Sequence, residues 1–118
     1  MSKPTIHEVR TYWQAYPAGE REVAHLAADR LGFFDERDRQ TRLLYPNLDA
    51  DYGFARAQGK FTLEVGCGMG YNAQRLAQLG ARLIVMDLVQ RAVQLTRERL
   101  LLRNLSADFL VADAEHLP

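Results

Sequence analysis

Three glycines within five residues mark the boundary between a β-prone run and a helix-prone run near the middle of the chain. The segment reads Glu64-Val65-Gly66-Cys67-Gly68-Met69-Gly70 and includes the end of the short apolar run 61–65. Glycine permits the sharp, positive-φ turn that joins a strand to a helix, and it leaves room for a ligand against the main chain. The first N–H groups of the following helix favour a carboxylate or a phosphate. The segment therefore predicts a ligand-binding strand–loop–helix unit.

The spacing of these glycines restricts the class of nucleotide site. A dinucleotide-binding loop has the pattern Gly-x-Gly-x-x-Gly, whereas here the third glycine, Gly70, comes one residue early and Tyr71 stands in the expected position. A bulky side chain where helix and pyrophosphate meet argues against an NAD-type site. No Gly-Lys-Ser/Thr follows, so a phosphate-binding P-loop is excluded as well.

The chain divides into two regions that differ in composition and in hydrophobic patterning. Residues 1–59 are polar, irregular and helix-prone, which predicts a helical N-terminal leader or cap. Residues 60–118 alternate short apolar runs with amphipathic runs, as βα units do, and form the expected ligand-binding domain. Within it we predict strands over 61–65, 82–86 and 109–112 and helices over 72–79 and 89–103. The fold class is therefore α/β, a Rossmann-like doubly wound parallel sheet of order 3-2-1, truncated after strand three.

Further expectations concern burial and the leader. We predict one leader helix over 20–31, stopped by Gly32, and a second from Asp35 to about Leu44. The charge-dense run 35–42 predicts a solvent-facing helix surface. Strand two is apolar on both faces, so we expect it to be buried on both sides. The large leader aromatics are expected to anchor the leader to the core rather than to line an acceptor pocket; they are Trp13, Tyr16, Phe33 and Phe34.

Carboxylates close or flank all three predicted strands. Asp87 ends strand two and Asp113 follows strand three, while Glu64 lies at the end of strand one. The carboxyl ends of parallel strands meet at the sheet edge where ligands bind. There Asp87 is suited to accept both hydroxyls of a ribose, in charge-assisted hydrogen bonds worth ~1.5–3 kcal/mol. Asp113, farther along the same edge, is suited to accept from an adenine amino group.

Three segments together resemble one protein family. Residues 61–70 look like motif I of class I S-adenosylmethionine (SAM)-dependent methyltransferases, and residues 83–88 resemble their second-strand motif. Residues 112–118 are similar to the adenine-contacting loop of the methyltransferase type 11 subgroup. The direct match covers about half of the chain. The segment 9–13 and the residues after it also look like the helical leader of some bacterial members.

The resemblance implies that the cofactor is SAM and that a defined set of residues holds it. The resemblance assigns the contacts with the methionyl part of SAM to Glu64, Gly66, Cys67, Gly68 and Gly70. It assigns the contacts with the ribose and adenine to Asp87, Leu88, Asp113 and Ala114, and a contact with the cofactor carboxylate to Tyr12. No catalytic side chain is identified. Cys67 is interpreted as a small residue that fills the turn, because no base is placed to activate its thiol. His116 is interpreted as a loop residue.

The amino-acid composition restricts the classes of partner that the chain is expected to bind. Fifteen basic and fifteen acidic side chains cancel, so no global field favours nucleic acid or an anionic membrane. Cys67 is the only cysteine, which excludes an intrachain disulfide, and the three histidines show no metal-ligand spacing. No signal peptide or membrane span is recognisable, so a cytoplasmic location is the default.

The sequence therefore predicts an enzyme, the SAM-binding portion of a methyltransferase that acts on a small-molecule acceptor. In the resembling family the acceptor-facing residues lie largely on and after strand four, beyond the three strands found here. Strand one would then be an edge strand, open to self-association. Two alternatives remain: a catalytically inactive SAM-binding or interaction module that associates through this open edge, and an NAD-type site, which Tyr71 disfavours.

Overall fold

The computed structural model describes residues 2–117. The helices are α1 (Ile6–Ala15), α2 (Arg30–Leu44), α3 (Leu48–Asp51), α4 (Tyr71–Gln78) and α5 (Gln90–Leu102). The strands are β1 (Phe61–Val65), β2 (Arg82–Asp87) and β3 (Asp108–Val111), and two short 3₁₀ helices cover Arg21–Leu26 and Phe54–Ala57. No helix within residues 2–117 has the length and apolar character needed to cross a membrane.

The three strands form one parallel sheet in the order β1-β2-β3. Val65 pairs with Met86, and Asp87 pairs with Val111, so the carboxyl ends of all three strands meet at one edge. Helices α4 and α5 provide the crossovers, as the alternation of apolar and amphipathic runs predicts. The α/β, Rossmann-like class and the predicted strand order are confirmed.

Helices α4 and α5 pack on one face of the sheet. Leu83 and Val85 of β2 are buried there in a core cluster with Ala73 and Leu76 of α4 and with Val93 of α5. The opposite face is partly open.

The prediction that β2 is buried on both sides holds at Met86, which is 1% exposed, but it is wrong at Ile84. The two crossover helices cover the same face of the sheet and leave the other face partly open. Ile84, on the other face, is 41% exposed. Its register partner Leu63 on β1 is exposed as well.

The leader helices begin elsewhere than predicted. Residues 21–26 form a 3₁₀ helix, and α2 begins at Arg30 rather than at Asp35. Asp29 is the N-cap of α2, and its side chain accepts from the backbone N–H of Gly32 at 3.0 Å. Gly32 therefore lies in the first turn of a helix instead of ending one, since an aspartate cap three residues upstream satisfies its N–H.

A second core cluster unites the leader with the sheet domain. Phe33 and Phe34 of α2 are buried together with Val23, with Met69 of the glycine-rich segment and with Leu95 of α5. Helix α5 is thus covered on two sides, by the sheet and by α2. These two phenylalanines anchor the leader, as expected. Trp13 and Tyr16 are 44% and 42% exposed and belong to neither buried cluster, so the same expectation is wrong for them.

The prediction of a solvent-facing surface over residues 35–42 is wrong at one residue. Asp38 is only 6% exposed and forms an ion pair at 2.5 Å with Arg99 of α5. The reason is tertiary: α2 packs against α5, and the two charges meet inside that contact. Asp35 forms an ion pair with Arg103 near the end of α5.

Candidate functional site

A cavity of about 440 Å³ lies at the carboxyl ends of the strands. This volume is in the range of small-molecule sites. Six residues singled out in the sequence line it together, namely Gly66, Gly68, Asp87, Leu88, Asp113 and Ala114. The structure therefore brings the glycine-rich loop (residues 66–70) and the two strand-end aspartates to one place.

The glycine-rich loop follows β1 in a conformation that suits glycine. Gly68 has φ +53° and Gly70 has φ +88°, both in the left-handed region. The N–H groups of Gly66 and Cys67 donate to the carbonyl of Met86, at 2.9 and 3.3 Å, which ties the loop to β2. Helix α4 begins after Gly70 without a side-chain cap. Its first N–H groups are therefore available to a ligand.

Asp87 points at the glycine-rich loop. One carboxylate oxygen accepts from the backbone N–H of Gly68 at 3.2 Å, and the other accepts from the N–H of Val89 at 2.9 Å. These bonds hold the carboxylate at the cavity wall between the loop and the start of α5.

Asp113 lies on the same cavity wall, in the loop after β3. Its carboxylate accepts from the N–H of Glu115 at 2.9 Å and contacts Nδ1 of His116 at 3.0 Å. These hydrogen bonds lower the pKa of the Asp113 carboxyl, the backbone bond from Glu115 contributing most. Asp113, Glu115 and His116 bring possible metal-ligating atoms within 4.8 Å of one another. The internal Asp113–His116 contact and the exposure of Glu115 and His116 account for this cluster as loop structure.

Glu64 borders a second, smaller cavity of about 150 Å³. Gly66 lines both cavities, so the two are adjacent across the glycine-rich loop. Burial raises the pKa of the Glu64 carboxyl to about 7, and a hydrogen bond with Asn72 acts in the opposite direction. A half-buried carboxyl with a raised pKa is suited to receive a positively charged group.

Cys67 turns its side chain into the core, which agrees with its interpretation as a residue that fills the turn rather than a nucleophile. It is buried in the cluster under the sheet, with Sγ 3.8 Å from the carbonyl oxygen of Gly68. Burial raises the pKa of the thiol to about 12. A thiol that stays protonated is a poor nucleophile.

The leader contributes residues that were not predicted to line the site, among them Trp13, which was expected to anchor the leader instead. Those that line the larger cavity are Ile6, Val9, Trp13, Pro17 and Ala18. Tyr12 does not line it: the residue is 56% exposed, and its ring packs against Trp13 and Tyr16, with centroids 5.1 and 5.3 Å apart.

A signal for this contribution was present in the sequence. Thr5 and Glu8 form a capping box at the start of α1, a pattern that is recognisable from residue types alone. Ile6, Val9 and Trp13 follow at the spacing of one helix face.

Comparison with known proteins yields one family and several similar folds. A methyltransferase domain family matches residues 62–118. No significant relative is found among curated proteins. Magnesium protoporphyrin IX methyltransferase of Synechocystis PCC 6803, solved with bound SAM, aligns over 99% of this chain and 58% of its own, with 19% identity and a TM-score of 0.59.

Two further solved structures align at similar identity. The [4+2]-cyclase SpnF aligns over 100% of this chain and 46% of its own, with 22% identity and a TM-score of 0.58. The tRNA (uracil-54, C5)-methyltransferase of Pyrococcus abyssi, in complex with S-adenosyl-L-homocysteine, aligns over 62% of this chain and 19% of its own, with 22% identity and a TM-score of 0.53. The chain thus spans less than two thirds of the length of each. At identities of 19 to 22%, similarity to these structures shows only a shared fold, and one fold can host different reactions.

Proposed function

Residues 62–118 belong to the methyltransferase domain family, and on this premise we propose that the chain provides the SAM-binding part of a methyltransferase that acts on a small-molecule acceptor. One observation carries the proposal. The larger cavity is lined at once by Gly66 and Gly68, by Asp87 after β2 and by Asp113 after β3. These four residues are among those that the family resemblance assigns to SAM.

The residues present fit a ligand with a cationic methionyl group. A Cβ atom at Gly66 or Gly68 would meet no heavy atom within 4 Å, so open room lies against the main chain. The carboxyl of Glu64 is half-buried with a pKa of about 7. A cation beside it would favour its ionised form and so offset the cost of burial.

Each residue has one proposed role. Gly66, Gly68 and Gly70, with Cys67 between them, offer their main chain to the methionyl group. Glu64 accepts from the methionyl ammonium, and Asp87 accepts from the ribose hydroxyls. Leu88, Asp113 and Ala114 border the adenine. Tyr12 has no role in this arrangement, because its ring lies outside the cavity.

SAM supplies an activated methyl group on a sulfonium, so the protein has little covalent chemistry to perform. Its contribution is to align the acceptor with the methyl group and to exclude water. Apolar side chains from both halves of the chain support this role, among them Trp13 from α1 and Met86 from β2, which line the same cavity. No acid–base side chain of the described residues is assigned to the transfer step.

The charge distribution favours a small molecule over a nucleic acid as the acceptor. The formal net charge is zero, because fifteen basic side chains are balanced by fifteen acidic ones. Nucleic-acid affinity depends largely on an excess of cationic groups that displace counterions from phosphates, and the composition gives no such excess.

Calorimetric titration of the chain with SAM, with S-adenosyl-L-homocysteine and with NADH tests the cofactor. We expect SAM and S-adenosyl-L-homocysteine to bind, and NADH to bind more weakly or not at all. Tighter binding of NADH than of SAM would contradict the proposal.

The exposed surface of β1 supports a second candidate, an interaction module that associates through the edge of the sheet. Phe61 is 82% exposed, and Leu63 and Val65 next to it on the same face are about half exposed. An edge strand with open hydrogen-bonding groups and apolar side chains favours pairing with another chain. Sedimentation across a concentration series separates the two candidates. A dimer that is disrupted by Leu63→Lys on β1, but not by the control Leu43→Lys on α2, favours the interaction module.

A further inference from the structure

Two side chains of α5 contact the glycine-rich loop without lining the larger cavity. The hydroxyl of Thr96 donates to the carbonyl of Gly68 at 3.3 Å, and Nη1 of Arg99 donates to the carbonyl of Met69 at 3.1 Å. Thr96 and Arg99 are both fully buried. A Cβ atom at Gly70 would lie 2.8 Å from each of these side chains. Helix α5 therefore packs directly on the loop.

Gly68 is held at both of its polar groups. Its N–H donates to Asp87 at the cavity wall, and its carbonyl accepts from Thr96 on α5. The next carbonyl, that of Met69, accepts from Arg99. The direction of two successive peptide groups in the loop is thus set by side chains of α5.

Arg99 connects three parts of the molecule. Besides Met69 of the loop, its Nε donates to the side chain of Gln74 on α4 at 3.0 Å, and its Nη2 donates to Asp38 on α2 at 2.5 Å. Its guanidinium lies 5.2 Å from the ring centroid of Phe34. A planar guanidinium with donors in a rigid fork can hold three acceptors in one fixed arrangement, which a lysine ammonium cannot do.

The pair formed by Arg99 and Asp38 is costly to bury. The second carboxylate oxygen of Asp38, Oδ1, is buried without a hydrogen-bond partner. Apolar residues of similar volume often replace such a pair without loss of stability. Stability alone therefore does not explain why a charged pair occupies this position.

Joining α2 to α5 does not explain the pair either. Arg30 on α2 already forms a two-bond ion pair with Glu98 on α5, at 2.5 and 2.8 Å. Asp35 and Arg103 form another connection between the same helices. What distinguishes Arg99 from these pairs is its contact with the loop carbonyl.

We propose that Arg99 is a positioning residue that fixes the glycine-rich loop in its ligand-binding conformation, and that Asp38 of the leader holds Arg99 in place for this role. The leader thereby reaches the cofactor site from the α5 side as well as through α1. The identity of the ligand in this inference rests on the proposed function, whereas the effect on the loop does not depend on it.

The test uses the full chain with Asp38→Leu combined with Arg99→Met, which replaces the pair by apolar side chains. We expect the unfolding midpoint to stay close to that of the unchanged protein. We expect the affinity for S-adenosyl-L-homocysteine, measured by calorimetry, to fall about tenfold or more, the range for a lost hydrogen bond to a charged group. The NMR amide signals of Gly66, Gly68 and Gly70 should shift in the ligand-free protein.

Glu98→Gln is the matched control, because it weakens a contact between the same two helices without touching the loop. It should leave both the affinity and the glycine amide signals unchanged. Asp38→Asn is a second variant that keeps the side-chain shape, and we expect a smaller loss of affinity with shifts of the same glycine signals.

The outcomes separate this inference from the proposed function. Unchanged affinity and unchanged glycine signals in the double variant overturn the positioning role while the SAM site stands. If the double variant does not fold, unchanged affinity and unchanged glycine signals in Asp38→Asn overturn the positioning role instead. Absence of binding in the unchanged protein overturns the SAM site, and the glycine signals of the ligand-free variants then decide the positioning role alone.

Discussion

The carboxylate of Asp87 accepts a hydrogen bond from the backbone N–H of Gly68 at 3.2 Å. This contact connects the end of β2 to the loop that follows β1. The other oxygen of Asp87 accepts from Val89 at 2.9 Å. Each carboxylate oxygen retains a further acceptor site, so Asp87 can order the loop and accept hydroxyls from a ligand at the same time.

Asp87→Ala should weaken SAM binding by about ten- to 150-fold, the range for charge-assisted hydrogen bonds. Helix content, followed by circular dichroism, should change little, because Asp87 lies at a strand end. Asp108→Ala is the control, since this exposed carboxylate begins β3 at the opposite end of the sheet. Unchanged calorimetric affinity in Asp87→Ala would count against the ribose role.

Gly68→Val should abolish SAM binding. Its φ of +53° costs a residue with a side chain about 1–2 kcal/mol, and a branched side chain would fill the open room beside the main chain. Gly59→Val is a matched control, because Gly59 has φ +68° and equally open surroundings but lies outside the cavity. The two variants should lose similar stability in thermal unfolding, and only Gly68→Val should lose binding; retained binding contradicts the loop assignment.

The sheet domain was predictable because its signals are local. Strand β1 covers Phe61–Val65 as predicted, β2 is one residue longer at its end than predicted, and α5 is one residue shorter at each end. Asp87 and Asp113 line one cavity with the glycine-rich loop because parallel strands share an edge, a rule that needs no knowledge of side-chain packing.

The leader was less predictable because its packing is tertiary. The burial of Asp38 depends on Arg99, 61 residues away, and no local pattern signals that pairing. The start of α2 is set by Asp29, which caps the helix, so that Gly32 lies within the helix instead of ending the preceding one. Helix α1, by contrast, carried a readable local signal in its capping box.

The raised pKa of Glu64 predicts opposite pH trends for stability and for binding. Burial raises the folded-state pKa to about 7 from the ordinary value of 4.5, so between these values the folded protein binds more protons than the unfolded chain. The stabilisation from protonated Glu64 is complete below the unfolded-state value and is lost as pH rises through about 7. SAM affinity should rise over the same interval, because the ionised carboxylate is the form that accepts from an ammonium.

Glu64→Gln tests both trends. Denaturant unfolding of the ligand-free protein and calorimetry with SAM, each from pH about 5 to about 8, should show a smaller pH dependence in this variant. The variant should also bind SAM more weakly at the upper end of the range, where the unchanged protein carries the ionised carboxylate. Identical pH profiles for the two proteins would remove Glu64 from the methionyl site.

Trp13 is the only tryptophan of the chain, and it lines the larger cavity from α1 while remaining 44% exposed. SAM binding should therefore change the intrinsic tryptophan emission, and a titration should yield the same affinity as calorimetry. Trp13→Ala should weaken binding roughly fivefold, which corresponds to the loss of about 40–50 Å² of apolar contact.

Tyr12→Ala is the control for Trp13→Ala, because Tyr12 is the adjacent aromatic residue of α1 and lies outside the cavity. It should leave the affinity unchanged. An unchanged emission spectrum at saturating SAM, together with full affinity in Trp13→Ala, would show that α1 does not contact the ligand and that the cofactor is held by the sheet domain alone.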